Sequence, residues 1–187
     1  MGVSATRLLI LGLVRWAQPV HGYDVRRELL SWNADKWANV APGSIYHALK
    51  KLAEEGLLRE VGTEQVGARP ARTSYEMTDK GERVFQEMLR EYWWEYRQPA
   101  DPFLVAFAFL PALPRREAMA ALRTRAQQLR AQASNLEIGL DEGWVNRDNP
   151  PHVAEMFRLG IVRMEAEADW CERVADRVES KDLPFES

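Results

Sequence analysis

A single cysteine in 187 residues leaves no partner for an intramolecular disulfide, and an unpaired Cys171 fits a reducing compartment. The three histidines, His21, His47 and His152, lie far apart and none has a second histidine four residues on. Zinc-ligand and catalytic-triad patterns are therefore missing, and no enzyme, metal or cofactor is expected. Long apolar runs are missing too: residues 8–14 and 103–110 are the longest candidates, well short of the roughly 20 residues of a membrane span. Arg15 and Trp16 follow the first run where a signal peptide would carry small residues. A cytoplasmic protein without a membrane anchor is the expectation.

A strong excess of one charge is the last absence. The net charge of −3 divides into +1 over residues 1–97 and −4 over residues 98–187. Composition alone does not suggest a nucleic-acid partner, because the usual footprint is markedly basic. A hydrophobic content of 46% does suit a chain with a real core.

The most informative stretch is 42–56, PGSIYHALKKLAEEG. Pro42 suits a first helical position, since its missing N–H would be unpaired there, and Gly56 suits the left-handed residue just past a helix end. At about 100° per residue, Ile45, Ala48, Leu49 and Leu52 gather on one stripe that a domain must bury. Gly43, His47, Lys50 and Glu54 point the other way, with Tyr46 and Lys51 on the flanks and Ser44 in the first turn. Such a face is either a solvated helix surface or a set of contacts to phosphate oxygens and base edges.

The neighbours of this helix decide between the two. A leucine-rich helix over 4–15 is expected first, with Ser4 as its N-cap, then a break at 17–22 and a second helix over 23–31. Residues 32–41 read as irregular, with Trp37 as a packing anchor. After Gly56 the period shortens: 57–66 and 73–78 read as two strands around the tip GARPAR at 67–72, and Thr78 caps a further helix running to about Arg97. Three helices and a two-stranded hairpin, in that order, make a winged helix-turn-helix. In that arrangement the third helix enters the major groove and the hairpin tip, here carrying Arg69 and Arg72, lies along the backbone or in the minor groove.

Residues 98–187 read as a separate α-helical domain. Pro99, Pro102, Pro111 and Pro114 confine a short helix over 101–110, expected to be buried between larger elements. From 115 to 140 the residues Met119, Leu122, Ala126, Leu129, Ala133, Leu136 and Leu140 alternate steps of three and four. Phe157, Ile161, Met164, Ala168, Cys171, Ala175 and Val178 repeat that rhythm over 151–179. Two helices with a seven-residue repeat, joined by a turn, form an antiparallel hairpin. Trp144, Leu159, Val162, Trp170 and Val174 fall off the main seam and call for cover, from a partner chain or, failing that, from the wing domain of the same chain. The candidate dimerisation residues are Met119, Leu122, Leu129, Leu136, Phe157, Ile161, Met164 and Trp170. The fold class is thus mainly α with a small β-hairpin wing: a winged helix-turn-helix domain over 1–97, then an α-helical dimerisation domain over 98–187.

Three blocks, HGYDVRREL from His21, APGSIYHALKKLAEEGLL from Ala41 and YEMTDKG from Tyr75, resemble the signature of the PadR family of transcriptional regulators, in the same order and at the same spacing. The family's glutamate is often found where Asp24 stands here. The resemblance implies a homodimeric DNA-binding regulator, usually a repressor, that leaves a palindromic operator when a small molecule binds. Carried over by position, Gly43, Ser44 and Tyr46 fall in the recognition motif, followed by His47, Lys50 and Lys51. Some relatives receive aromatic effectors, so Trp93 and Trp94 in the cluster EYWWEY are either effector-binding or packing residues. The competing reading, kept open by the near-zero charge of the first half, is a winged-helix module that binds other proteins instead of DNA.

Overall fold

A computed structural model describes residues 4–64, 72–96, 98–141 and 152–183. They fall into two compact units, Met1–Gln98 and Pro99–Ser187.

The first unit is built around α1 (Ala5–Ala17), whose Ile10, Leu11, Leu13 and Val14 are buried. Ser4 occupies the N-cap, but its hydroxyl makes no capping bond. Next come β1 (Val20–His21), α2 (Gly22–Ser31), a single-turn α3 (Ala34–Trp37) and α4 (Ser44–Glu54). The hairpin β2 (Leu58–Glu64) and β3 (Arg72–Met77) follows, and α5 (Asp79–Trp94) ends the unit. Ile45, Leu49 and Leu52 of α4 join Val25, Leu29, Leu57, Leu58, Tyr75 and Met88 in one core. Full burial of each such Leu or Ile is worth roughly 1.5–3 kcal/mol, so the apolar stripe alone fixes which side of α4 faces inward.

Four local readings need correction. β1 was not expected; it pairs antiparallel with β3, Val20 opposite Tyr75 and His21 opposite Ser74, making a three-stranded sheet in the order β1-β3-β2. Two residues are too few to show a period of two. The stretch 32–41 contains the turn α3, bracketed by Asn33 and Asn39 in left-handed conformation at φ of 52° and 53°. Asparagine tolerates that region because its short polar side chain can bond locally. Trp37 is 47% exposed and its ring N–H donates to the Trp32 carbonyl at 2.8 Å, so it is a surface residue and not an anchor. Pro42 precedes the helix: it shares a turn with Gly43, closed by the Ser44 N–H donating to Ala41 at 2.9 Å.

The stop signal behaves as read. Gly56 has φ of +74°, and the Leu57 N–H reaches back to the Leu52 carbonyl at 2.9 Å, the six-to-one bond of a glycine-terminated helix. Thr78 caps α5 by accepting from the Gly81 N–H at 3.0 Å. Its own hydroxyl lies 2.8 Å from the Gly56 carbonyl and 3.1 Å from that of Leu57. The exit of α4, the base of the hairpin and the start of α5 are thereby tied at one place. α5 ends at Trp94, three residues short of the expected Arg97.

In the second unit, α6 (Pro102–Phe107) is capped by the Asp101 carboxylate, which accepts the Phe103 N–H at 2.8 Å. Phe103 and Phe107 pack on Trp170, with ring centroids 6.1 and 4.9 Å apart. Leu104, Val105 and Phe109 are exposed and no residue of α6 is fully buried, so the helix is not buried between larger elements as expected but lies half-covered on the Phe103 and Phe107 side. A 3-10 turn at Leu110–Ala112 leads to α7 (Arg115–Asp141), which pairs with α8 (His152–Glu179). Ala118, Leu122, Ala126, Ala168, Cys171, Ala175 and Val178 share their core. Four alanines in that set let the two backbones come close. Arg123–Glu179 at 2.5 Å, Arg125–Glu167 at 2.6 Å and Arg130–Asp169 at 2.9 Å cross between the helices, and Arg130 also bonds Glu172. Each exposed pair contributes little, but together they admit one antiparallel register. The connecting turn, including Trp144, lies outside the described residues.

Candidate nucleic-acid interface

α4 divides as its sequence demands. Ile45, Leu49 and Leu52 are buried, while Gly43, Ser44, Tyr46, His47, Lys50 and Lys51 are all exposed. None of the six is covered by the rest of its own unit. The Lys50 side chain is 73% exposed and lies 3.8 Å from the Glu54 carboxylate one turn on. An exposed pair of that length contributes well under about 1 kcal/mol, so a phosphate can displace Glu54. Lys51 sits near enough to Glu55 to help hold that carboxyl below its usual range, after the larger effects of the Arg7 hydrogen bond and charge.

Ser44 differs from its expected role. Both its N–H and its hydroxyl, at 2.9 and 2.8 Å, donate to the Ala41 carbonyl. As folded, Ser44 offers an acceptor oxygen outward and no spare proton. The sequence does not show this, because it depends on the Pro42–Gly43 turn bringing Ala41 round beneath the helix.

Sequence reasoning passed over Tyr23. It stands exposed in the first turn of α2, beside Gly22, and a Cβ on Gly22 would lie 3.5 Å from Cε1 of Tyr46. The start of α2 therefore meets the flank of α4 at the buried Gly22, one position before the exposed Tyr23. Arg27 stacks over the Tyr23 ring at 5.8 Å and pairs with Asp24 at 2.9 Å. The available signal was an aromatic placed at a helix start, four residues before an arginine.

Of the two wing arginines, Arg69 lies outside the described residues, and Arg72 opens β3 with its side chain likewise outside them. Trp93 and Trp94 are 81% and 85% exposed, so neither packs in the core of its unit. With Leu89 and Arg90 they line a shallow cavity of about 190 Å³. Among the expected dimerisation residues, Leu122 and Ile161 are already buried by this chain, and Met119, Leu129, Leu136, Phe157, Met164 and Trp170 are half-buried. The described residues contain no cluster of metal-ligating side chains, and none of their helices is long and apolar enough to cross a membrane.

Three helices, a short strand, a hairpin and an outward polar face on the third long helix define a winged helix-turn-helix protein. Residues 10–87 match the model of the transcriptional regulator PadR-like family. That match lies within the winged first unit, and the helical second unit follows it. The chain is 28% identical over 128 residues to the negative transcriptional regulator PadR of Bacillus subtilis, spanning 68% of this chain and 69% of that one. The crystal structure of B. subtilis PadR in complex with operator DNA superposes with a TM-score of 0.69, at 22% identity, over 92% of this chain and 98% of that one. PadR in complex with p-coumaric acid gives 0.71 at 20% identity, over 94% and 99%.

Proposed function

We propose that this chain is a homodimeric repressor that binds a two-fold symmetric operator in double-stranded DNA and leaves it when an aromatic small molecule binds. The carrying observation is α4, whose buried stripe leaves Tyr46, His47, Lys50 and Lys51 together on an uncovered side. Lys50, Lys51 and the wing arginines Arg69 and Arg72 contact phosphates; Tyr46 and His47 face base edges or sugars; Gly43 lets the backbone come close, and Ser44 accepts through its oxygen. Tyr23 adds a phosphate contact from α2. The B. subtilis relative is a negative regulator whose structure with operator DNA shares this fold, which supports the assignment. Such a protein works in the cytoplasm.

For the effector, Trp93 and Trp94 supply flat apolar faces and Arg90 a cation, a combination suited to an aromatic carboxylate such as the one bound by PadR. The effector acts by favouring a spacing of the two α4 helices other than the approximately 34 Å between successive major grooves.

Selection of duplexes from a random pool at fixed salt tests the function directly. A two-fold symmetric motif is expected; no enrichment would favour the protein-binding module. On the selected operator, Lys50→Ala is expected to lower affinity by roughly tenfold and to flatten the slope of log affinity against log salt by about 0.9 per protomer. Parental affinity and slope in this variant would remove Lys50 from the interface. Glu54→Gln removes the acid beside Lys50, so it is expected to strengthen binding to operator and scrambled duplexes alike by a few-fold, read in the same titrations.

A further inference from the structure

Two arginines of α1 take no part in the exposed face of α4. Arg7 forms a two-pronged pair with Glu55, Nη1 to Oε1 at 2.9 Å and Nη2 to Oε2 at 2.5 Å, and Glu55 is the residue that closes α4. Arg15 holds both oxygens of Glu82 in the first turn of α5, Nε to Oε1 at 3.0 Å and to Oε2 at 2.8 Å, and stacks over Phe85 at 5.8 Å. Eight residues separate the arginines, about 12 Å along the helix and roughly 80° around it, so one reaches α4 and the other α5. Lys80 of α5 completes the triangle by donating to the Glu55 carbonyl at 2.7 Å.

The arrangement has a directional consequence. α4 carries the exposed face, and α5 is the element through which the chain continues out of the unit. α1 packs on both. Apolar ridge-into-groove packing sets helix crossing angles only to within roughly 15–20°, which leaves room for small slides and rotations. A two-pronged guanidinium–carboxylate pair is more exacting, since its planar fork must meet the carboxylate edge-on. Arg7 and Glu55 form that fork on the α4 side, and on the α5 side the single Arg15 Nε–H is shared between the two Glu82 oxygens, so α1 ties the two helices together.

We propose that Arg7 and Arg15 are positioning residues for operator reading: through Glu55 and Glu82 they fix the pose of α4 relative to α5, and so which duplexes α4 can read. The proposal rests on the DNA-binding function given above. Discrimination, more than raw affinity, is what they control. Nonspecific binding needs only cations near phosphates, whereas base readout requires side chains placed to a fraction of an ångström.

The test uses the full-length protein, the operator from the selection and a scrambled duplex of equal length at one salt concentration. Arg7→Gln with Glu55→Gln leaves net charge unchanged, so phosphate attraction is the same before and after. The expected result is a roughly tenfold fall in the operator-to-scrambled affinity ratio, with scrambled-duplex affinity unchanged within about twofold. The exchanged pair, Arg7→Glu with Glu55→Arg, is expected to restore most of the ratio. Arg15→Gln with Glu82→Gln, at the other end of α1, provides a second variant should the first fold poorly, and the same fall is expected of it. A folded double variant that melts at lower temperature but keeps the parental ratio would overturn the positioning role and leave DNA binding intact. A parent protein with no preference between the duplexes would overturn the DNA reading itself, and this role with it.

Discussion

Gly81→Ala is expected to cost the first unit about 3 kcal/mol or more, the upper part of the range for forcing atoms into a filled space. A Cβ at this position would stand 2.0 Å from the Leu57 carbonyl oxygen and 2.6 Å from the Met77 sulfur. Met77 can turn aside, but Leu57 cannot. Its carbonyl already accepts the Thr78 N–H and lies within bonding reach of the Thr78 hydroxyl, both at 3.1 Å, and its side chain is buried. Moving it would undo the cap of α5 and the base of the hairpin together. Against a total stability of about 5–15 kcal/mol, the melting temperature of a unit this size should fall by roughly 15 °C, and operator binding should be lost at temperatures the parent tolerates. Gly62→Ala is the control: nothing lies within 4 Å of its Cβ position, and a change under about 1 kcal/mol is expected. Chemical denaturation of both variants checks the contrast, and parental stability in Gly81→Ala would mean that the α5 start can shift freely.

Gly81 also shows what sequence reading could and could not reach. The run YEMTDKG announced a strand ending in a capped helix, and Thr78 does cap α5. The reason for a glycine three residues into that helix lies in Leu57, 24 positions earlier, and only the folded hairpin brings the two together. The same division runs through the first unit. The stripe of Ile45, Leu49 and Leu52 and the stop at Gly56 were legible because a helix carries its period and its ends in its own residues. β1 was not, because two residues become a strand only when β3 is beside them.

For the candidate interface, the outward direction of Tyr46, His47, Lys50 and Lys51 followed from angular spacing alone. The inward turn of the Ser44 hydroxyl did not, since its acceptor is set by the Pro42–Gly43 turn. Tyr23 was missed for a related reason: the approach of α2 to α4 at Gly22, one residue before it, shows only in the fold.

The long helices pose the ambiguity in its sharpest form, because a seven-residue repeat says that a helix needs a neighbour without saying whose. α7 and α8 satisfy the repeat within one chain: Leu122, Ala126, Ala168, Cys171 and Ala175 share a core, and Ile161 is buried. Those residues cannot also serve a partner. What remains uncovered is Met156, Leu159 and Val162 on α8, between 47% and 60% exposed, with Ile138 on α7. Gly160 lies between the last two α8 residues, and a Cβ there would be 4.0 Å from Leu136, which aligns this part of α8 with the end of α7 that carries Ile138.

If the homodimer forms on this strip, Leu159→Asp should weaken it at least 100-fold, equivalent to about 2.7 kcal/mol. Two-fold symmetry enters the change twice, so each dimer loses two leucine contacts and gains two carboxylates that must give up water. The hairpin itself should survive, since Leu159 contributes little to its own chain's core, and helix content and melting of the monomer should match the parent. Operator affinity should fall with the dimer, because a lone winged unit reads one half-site and forfeits the second. Sedimentation at micromolar concentration separates the states. A parent that is monomeric throughout would remove the dimer, and a Leu159→Asp variant that stays dimeric with full operator affinity would move the interface to another surface.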